Sequence, residues 1–251
     1  MPRAARRKSE TGIYHIMLRG VNKQDLFEDD TDRLEFLQHL FRYKQLSDID
    51  LYAYCLMSNH VHLLLKEKQQ NTSTYVKQIS SSYVYYFNSK YARNGHLFQE
   101  RYKSEPVEDD DYFLIVLRYI HQNPVKANIV SSVEEYKWSS YNDYLKKKRI
   151  NFELALKLFK NYSQDPLQEF IRYNNLKNQD ECLEIKTIKP KSDDQIRETI
   201  LYMGNFKHVN EIQQTEKEKR NKLMRQLKSE GASIRQLQRI TGLSYKVIRE
   251  A

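Results

Sequence analysis

Six glycines and five prolines in 251 residues are too few to interrupt this chain often. Long regular elements are therefore expected, because these two residues are the usual punctuation of turns. Cysteine is scarcer still, and Cys55 and Cys182 stand too far apart to suggest a disulfide framework or a zinc ribbon. A reducing, cytoplasmic setting is the expectation. No stretch approaches the roughly 18 consecutive apolar residues of a membrane span. The basic opening MPRAARRKSE lacks the apolar segment of a secretory signal, and no internal repeat is evident. Membrane-spanning and secreted disulfide-scaffold classes are thereby set aside.

Positive charge and tyrosine are what the chain has in plenty. Lys and Arg number 42 against 33 Asp and Glu, a formal charge of +9. That balance favours a polyanionic partner, nucleic acid foremost, although many basic proteins bind none. Nineteen tyrosines and ten phenylalanines offer stacking surfaces for unpaired bases, and serve cores and interfaces equally well. The length suits one large domain, or a main domain with a smaller one.

The pattern along the chain alternates strands and helices. GIYHIMLRG (12–20) has the branched and aromatic content of a strand. DDTDRLEFLQHLFRYKQL (29–46) has an acidic start and places Leu34, Leu37, Phe41 and either Leu40 or Lys44 at helical spacing. LYAYCLM and HVHLLLKE read as two strands joined by the turn SN. A helix over 71–91 with a Thr or Ser cap follows, then a loop and strand in GHLFQERYKSEPVE, then an acid-capped helix over 109–123 stopped by Pro124. Strand, helix, strand, strand, helix, strand, helix predicts an α+β fold, one mixed or antiparallel sheet with helices packed on it. Composition shifts after residue 145. Residues 146–192 read as a surface helix or two and a polar linker, and residues 193–251 as a helical C-terminal domain. Its close, EGASIRQLQRITGLSYKVIREA, spaces Ile234, Leu237 and Ile240 three apart, then turns through Gly242 into a second helix capped by Ser244. That is a helix-turn-helix signature, with Arg235, Arg239, Lys246 and Arg249 around the turn as candidate DNA contacts. Helical bundles that bind nothing carry the same pattern.

Two histidines in an apolar strand need explaining. Residues i and i+2 of a strand share a face, so His60 and His62 stand side by side with Val61 turned away. Two neutral imidazoles so placed can hold a divalent cation, although an inert hydrogen-bonded pair is the commoner case for such a spacing. A third ligand would decide. The helix DYFLIVLRYIHQN offers Asn123, at its end before Pro124, and Tyr119 four residues earlier on the same helical face. An asparagine carbonyl is a hard oxygen ligand fit for Mg2+ or Mn2+. A tyrosine one turn away could attack a phosphodiester held there, or could be a buried core residue.

With those residues in place the sequence resembles the HUH single-strand tyrosine transposases, in particular the REP-associated, IS200-like branch. The segments YHIMLRGVNKQDLF, AYCLMSNHVHLLL, GHLFQERYKS, RYIHQNPVKANIV and WSSY stand in that family's order and spacing, over roughly residues 10–145. The resemblance implies a ferredoxin-like HUH fold, with a central antiparallel sheet flanked by helices, as the catalytic domain over 1–145. It implies His60, His62 and Asn123 as metal ligands and Tyr119 as the nucleophile that forms a 5′-phosphotyrosine link with single-stranded DNA beside a hairpin. The implied cofactor is Mg2+ or Mn2+, with no nucleotide. Arg19, Asn22 and Lys23 are expected either to touch DNA or to form a solvated turn, and Arg101 and Lys103 to contact DNA backbone or hairpin. His96 is not needed as a further ligand, His121 faces away from Tyr119, and Trp138 is assigned to the core. A transposase, a DNA-binding regulator that has lost turnover, and a nuclease or replication initiator using the same tyrosine chemistry all remain open. So does the choice between monomer and homodimer. A duplex partner for the C-terminal segment is a further expectation.

Overall fold

The structure is a computed structural model that describes residues 6–68, 71–99, 101–183 and 192–251. The chain folds as two units, Met1–Glu184 and Ile185–Ala251, each with its own apolar core.

In the first unit the strands β1 (Ile13–Arg19), β2 (Asp50–Leu56), β3 (His60–Lys66) and β4 (Lys103–Pro106) form one sheet in the order β2-β3-β1-β4, every pairing antiparallel. The short Ser58–Asn59 turn lets β2 and β3 pair directly, as the sequence suggests. Helices α1 (Asp30–Ser47) and α2 (Thr72–Lys90) pack on one another, and α3 (Asp110–Lys126) packs on β2 and β3. The α+β expectation and its element order are thus met.

Local chemistry explains the boundaries. Asp29 caps α1 in a reciprocal capping box with Asp32, and Asp109 caps α3 through the Tyr112 N–H. Both satisfy backbone donors that a helix start leaves orphaned. The cap of α2 is Asn71, one residue ahead of the threonine and serine expected to serve; its Oδ1 accepts from the Ser73 N–H at 2.7 Å. Two further expectations shift. Leu34 is 59% exposed and Phe36 is buried in its stead, while Leu37 and Leu40 are buried and Phe41 partly buried, as the spacing suggests. Helix α3 does not stop before Pro124 but carries it inside its last turn and continues to Lys126. Proline there removes one backbone donor and crowds the carbonyl four residues back, but only two helical residues follow that the distortion could displace.

The stretch expected to begin a linker at residue 146 belongs to the first core. After α4 (Tyr141–Lys146), helices α5 (Glu153–Phe159) and α6 (Pro166–Asn175) bury Phe159 and Phe170, and Phe170 stacks on Tyr144 at 4.4 Å between ring centroids. Gln122 of α3 donates to the Asn174 and Leu176 carbonyls, and Arg118 pairs with Asp180 at 2.8 Å. These polar ties are long-range in sequence, so a local reading of a polar stretch could not find them. The polar residues 184–191 lie outside the described residues.

The second unit contains α7 (Asp193–Gly204), α8 (Lys217–Ser229), α9 (Ile234–Thr241) and α10 (Tyr245–Glu250) around Ile196, Ile200, Met224, Leu237, Ile240 and Ile248. Gly242 joins α9 to α10 at φ +70°, and a β-carbon there would lie 2.5 Å from Gln213 Nε2. The left-handed conformation calls for glycine, whereas the Gln213 side-chain end could shift to make room. Ser233 and Ser244 cap the two helices.

Candidate active site

The pairing of β1 with β3 places Arg19 opposite His60, Met17 opposite His62 and His15 opposite Leu64. Partners in register share a face, so one side of the sheet carries Arg19, His60, His62 and His15 in a short array. Val61, Leu63 and Leu65 fall on the other side and are fully buried. β4 extends the array, with Lys103 opposite Met17 and Glu105 opposite His15.

Helix α3 covers this array. The Tyr119 ring stands edge-on to His62 at 5.6 Å and to His15 at 5.8 Å between centroids, and His60 meets His62 edge-on at 5.0 Å. The Lys126 ammonium lies 5.2 Å from the Tyr119 ring centre. Tyr119 is 1% exposed. Tyrosine and histidines come from one chain.

The imidazoles are held through their Nδ1 atoms. His60 Nδ1 lies 2.7 Å from Asn59 Oδ1, and His62 Nδ1 lies 2.9 Å from His15 Nε2. Burial, reinforced by His15 and His60 nearby, pushes His62 well below the ordinary histidine range, and burial lowers His15 to about 3. Both are therefore neutral at neutral pH, the state in which a ring nitrogen keeps a lone pair. Asn123 donates Nδ2–H to the Tyr119 carbonyl at 3.1 Å, which turns its amide back along α3. Among the described residues no group of three or more His, Cys, Asp or Glu side chains is arranged to hold a metal ion. A cation here would need the Asn123 oxygen or oxygens from outside the protein beside the two imidazoles, a donor set of the kind Mg2+ and Mn2+ accept.

The other residues singled out in the sequence divide between places. Asn22 and Lys23, exposed and both at left-handed φ of 52° and 65°, form a tight turn after Arg19. The Gly20 N–H donates to the Asn59 carbonyl at 2.9 Å, which seats that turn beside His60. A β-carbon on Gly20 would meet the Gln24 carbonyl oxygen at 2.1 Å, so the turn requires glycine. Arg101 lies elsewhere. It lines a cavity of about 270 Å3 with Arg6, Arg7 and Lys8, where the Arg6 guanidinium sits 3.7 Å over the Tyr102 ring. His96 lines a separate surface cavity with Tyr85 and Arg93. His121 is buried between Asn174 and Ser140 at 2.9 and 2.8 Å, and Trp138 is buried, as expected of both. In the second unit Arg235, Arg239, Lys246 and Arg249 are all exposed, and Arg239 also pairs with both carboxylate oxygens of Asp193, the shorter contact being 2.7 Å.

Sequence reading gave no role to His15 or Glu105. His15 shares a face with Met17 and Arg19 by simple alternation, but its link to His62 depends on a strand pairing 47 residues apart in sequence.

Comparison with known proteins bears on the matched segment and the fold. The sequence model of the IS200-like transposases matches residues 8–123. A Haemophilus influenzae protein named as a REP-associated tyrosine transposase is 27% identical over 115 residues, spanning 40% of this chain and 65% of that relative. The solved structure of a REP-associated tyrosine transposase bound to a REP hairpin superposes with a TM-score of 0.52 at 14% identity, over 61% of this chain and 90% of that one. At that identity the likeness speaks for the fold. A Deinococcus radiodurans protein described as a transposase aligns at 18% identity over 48% of this chain and 97% of its own, with a TM-score of 0.34, and adds nothing to the argument. Residues 8–123 thus carry a sequence match to the IS200-like transposases, and the fold is shared with a REP-associated tyrosine transposase.

Proposed function

We propose that this protein nicks and rejoins single-stranded, hairpin-containing DNA through a covalent link to Tyr119. The observation that carries the reading is the Tyr119 ring held 5.6 Å from His62, with His60 beside it, within one chain. The Tyr119 hydroxyl oxygen attacks a backbone phosphorus and forms a new phosphorus–oxygen bond. The bond to the 3′-oxygen breaks, and that oxygen leaves as a hydroxyl carrying the proton the phenol gives up. The 5′ side of the break stays on tyrosine as a phosphodiester. Attack by another 3′-hydroxyl reverses the step, so rejoining needs no ATP. The Lys126 ammonium, 5.2 Å from the ring centre, adds positive charge beside the tyrosine where the phosphate would sit. His60, His62 and Asn123 would hold Mg2+ or Mn2+, which when bound supplies positive charge against the reacting phosphate.

Basic groups give the DNA its path. Arg19, Asn22 and Lys23 flank His60, and Lys103 shares the sheet face of Met17. Arg101 with Arg6, Arg7 and Lys8 forms a separate cationic cavity suited to a phosphate backbone. The solved relative bound to a REP hairpin makes hairpin DNA the partner to test. In the second unit Arg235, Arg239, Lys246 and Arg249 are exposed cations for duplex contact, Arg239 being also paired with Asp193.

The burial of Tyr119 favours a second reading, in which the fold is kept by a DNA-binding regulator without turnover. A phosphodiester reaches a hydroxyl this covered only when neighbouring side chains part. One incubation separates the readings. Wild type and Tyr119→Phe are mixed with labelled single-stranded hairpin DNA and Mg2+ or Mn2+. A denaturation-resistant adduct in the wild type alone supports the transposase, and joined products distinguish it from a nickase. Binding in both proteins with no adduct in either would leave the regulator.

A further inference from the structure

We infer that His15, oriented by Glu105, is a positioning residue that fixes the tautomer of His62 and so presents the His62 Nε2 lone pair to the metal. The inference rests on the metal reading above and adds a residue to it.

The argument follows from which atoms meet. His15 Nε2 and His62 Nδ1 are 2.9 Å apart, so one of them carries the shared proton and the other accepts it. If His15 donates, His62 holds its own proton on Nε2, and that nitrogen has no lone pair for a cation. If His62 donates from Nδ1, its Nε2 is the ligand. The far side of His15 chooses between them. His15 Nδ1 lies 4.0 Å from Glu105 Oε2, and both atoms are buried without a hydrogen-bond partner. This is too long for a direct hydrogen bond but within reach of the carboxylate charge, whose Oε2 is covered although the Glu105 side chain is about a third exposed. A proton on His15 Nδ1 is attracted by that carboxylate, whereas a lone pair there is repelled. His15 is therefore the Nδ1–H tautomer, its Nε2 accepts, and His62 donates from Nδ1. The order is carboxylate, His15, His62 and then the cation, each ring passing on the orientation it receives. His60 reaches the same state by a shorter route, with Nδ1 against Asn59 Oδ1 at 2.7 Å. Both ring Nε2 atoms then carry lone pairs on one sheet face. Partners behind a ligating histidine act in this way generally, fixing ring and tautomer, and their loss costs roughly 10–100-fold in metal affinity.

Two measurements on the full-length protein test this. Long-range nitrogen–proton correlation spectra with 15N-labelled histidine report the tautomer of His62 without metal. Titration with Mn2+, read by electron paramagnetic resonance, reports affinity. His15→Gln keeps an oxygen near the Nε2 position that can accept from His62, and His15→Leu keeps only bulk. The wild type should show His62 protonated on Nδ1. His15→Leu should lose that preference and bind Mn2+ about 10–100-fold more weakly. His15→Gln should retain both within a few-fold, an outcome that a purely structural role for His15 does not produce. Glu105→Gln should weaken the His62 preference in part. Thermal melts identify a variant that has lost its fold, and the wild-type spectrum then still decides the tautomer. A wild-type His62 protonated on Nε2, or Mn2+ affinity unchanged in folded His15→Leu but lost in His60→Ala, would overturn the inference alone. No Mn2+ binding by the wild type would overturn the metal reading, and the inference with it.

Discussion

The two faces of β1 and β3 are made by the same strands and do opposite things. One face carries Ile16, Leu18, Val61, Leu63 and Leu65, all essentially without solvent exposure, beneath the helices. The other alternates with it residue by residue and carries His15, Met17, His60 and His62 against α3. Burial is nearly as complete for His15 and His62 as for the aliphatic face. What differs is the cost: apolar burial is favourable, while a buried imidazole must be hydrogen-bonded and must give up its charge. A sheet that accepts this cost on one face needs a compensating gain on the other, and the aliphatic face supplies it.

The comparison can be broken at several points. Removing the Tyr119 hydroxyl has the largest expected effect. Tyr119→Phe should abolish the DNA adduct while shifting a thermal melt little, because the ring that packs on His15 and His62 is kept; an adduct in this variant would displace Tyr119 from its role. Acid comes next. His15 and His121 are lowered to about 3 and about 4, and His62 also lies well below its ordinary value, so the unfolded chain binds more protons than the folded one as pH falls. Stability is therefore full above about pH 6.5 and declines as pH falls towards 4, by up to about 1.4 kcal/mol per pH unit for each histidine. Urea melts at pH 7.5, 6 and 5 would measure the slope, and a flat profile would contradict neutral burial of these rings. On the aliphatic face Leu63→Ala should cost about 2–5 kcal/mol at every pH, by lost burial and a cavity. Its melts would share the wild-type pH slope if the two faces act independently. The smallest effect belongs to Leu34→Ala on the exposed side of α1, expected within about 0.5 kcal/mol of wild type in the same melts.

Much of this was open to a sequence reader, for reasons of range. Alternation in HVHLLLK, the acidic caps at Asp29 and Asp109 and the helical spacing of Tyr119 and Asn123 act over a few residues, and each survived in the structure. Leu34 misled because several residues at helical spacing look alike until the packing partner is known, and α1 turned Phe36 to the core instead. Pro124 misled because a proline inside the last helical turn reads like one just beyond it. Residues 146–192 read as a surface helix or two and a polar linker; the helices are there, but the pockets that take Phe159 and Phe170 into the first core are not visible in sequence.

The sequence alone determined the order of elements, the shared face of His60 and His62, the helical turn between Tyr119 and Asn123, and the family to which these motifs point. Those features follow from the fixed periods of strand and helix, which need no partner. Only the tertiary structure decided that His15 stands behind His62 with Glu105 behind His15, and that the Tyr119 ring stands edge-on to both histidines. Both depend on strand register and on where α3 lands on the sheet. Register is set by the sum of many side chains finding their places at once, so no local stretch of residues contains it.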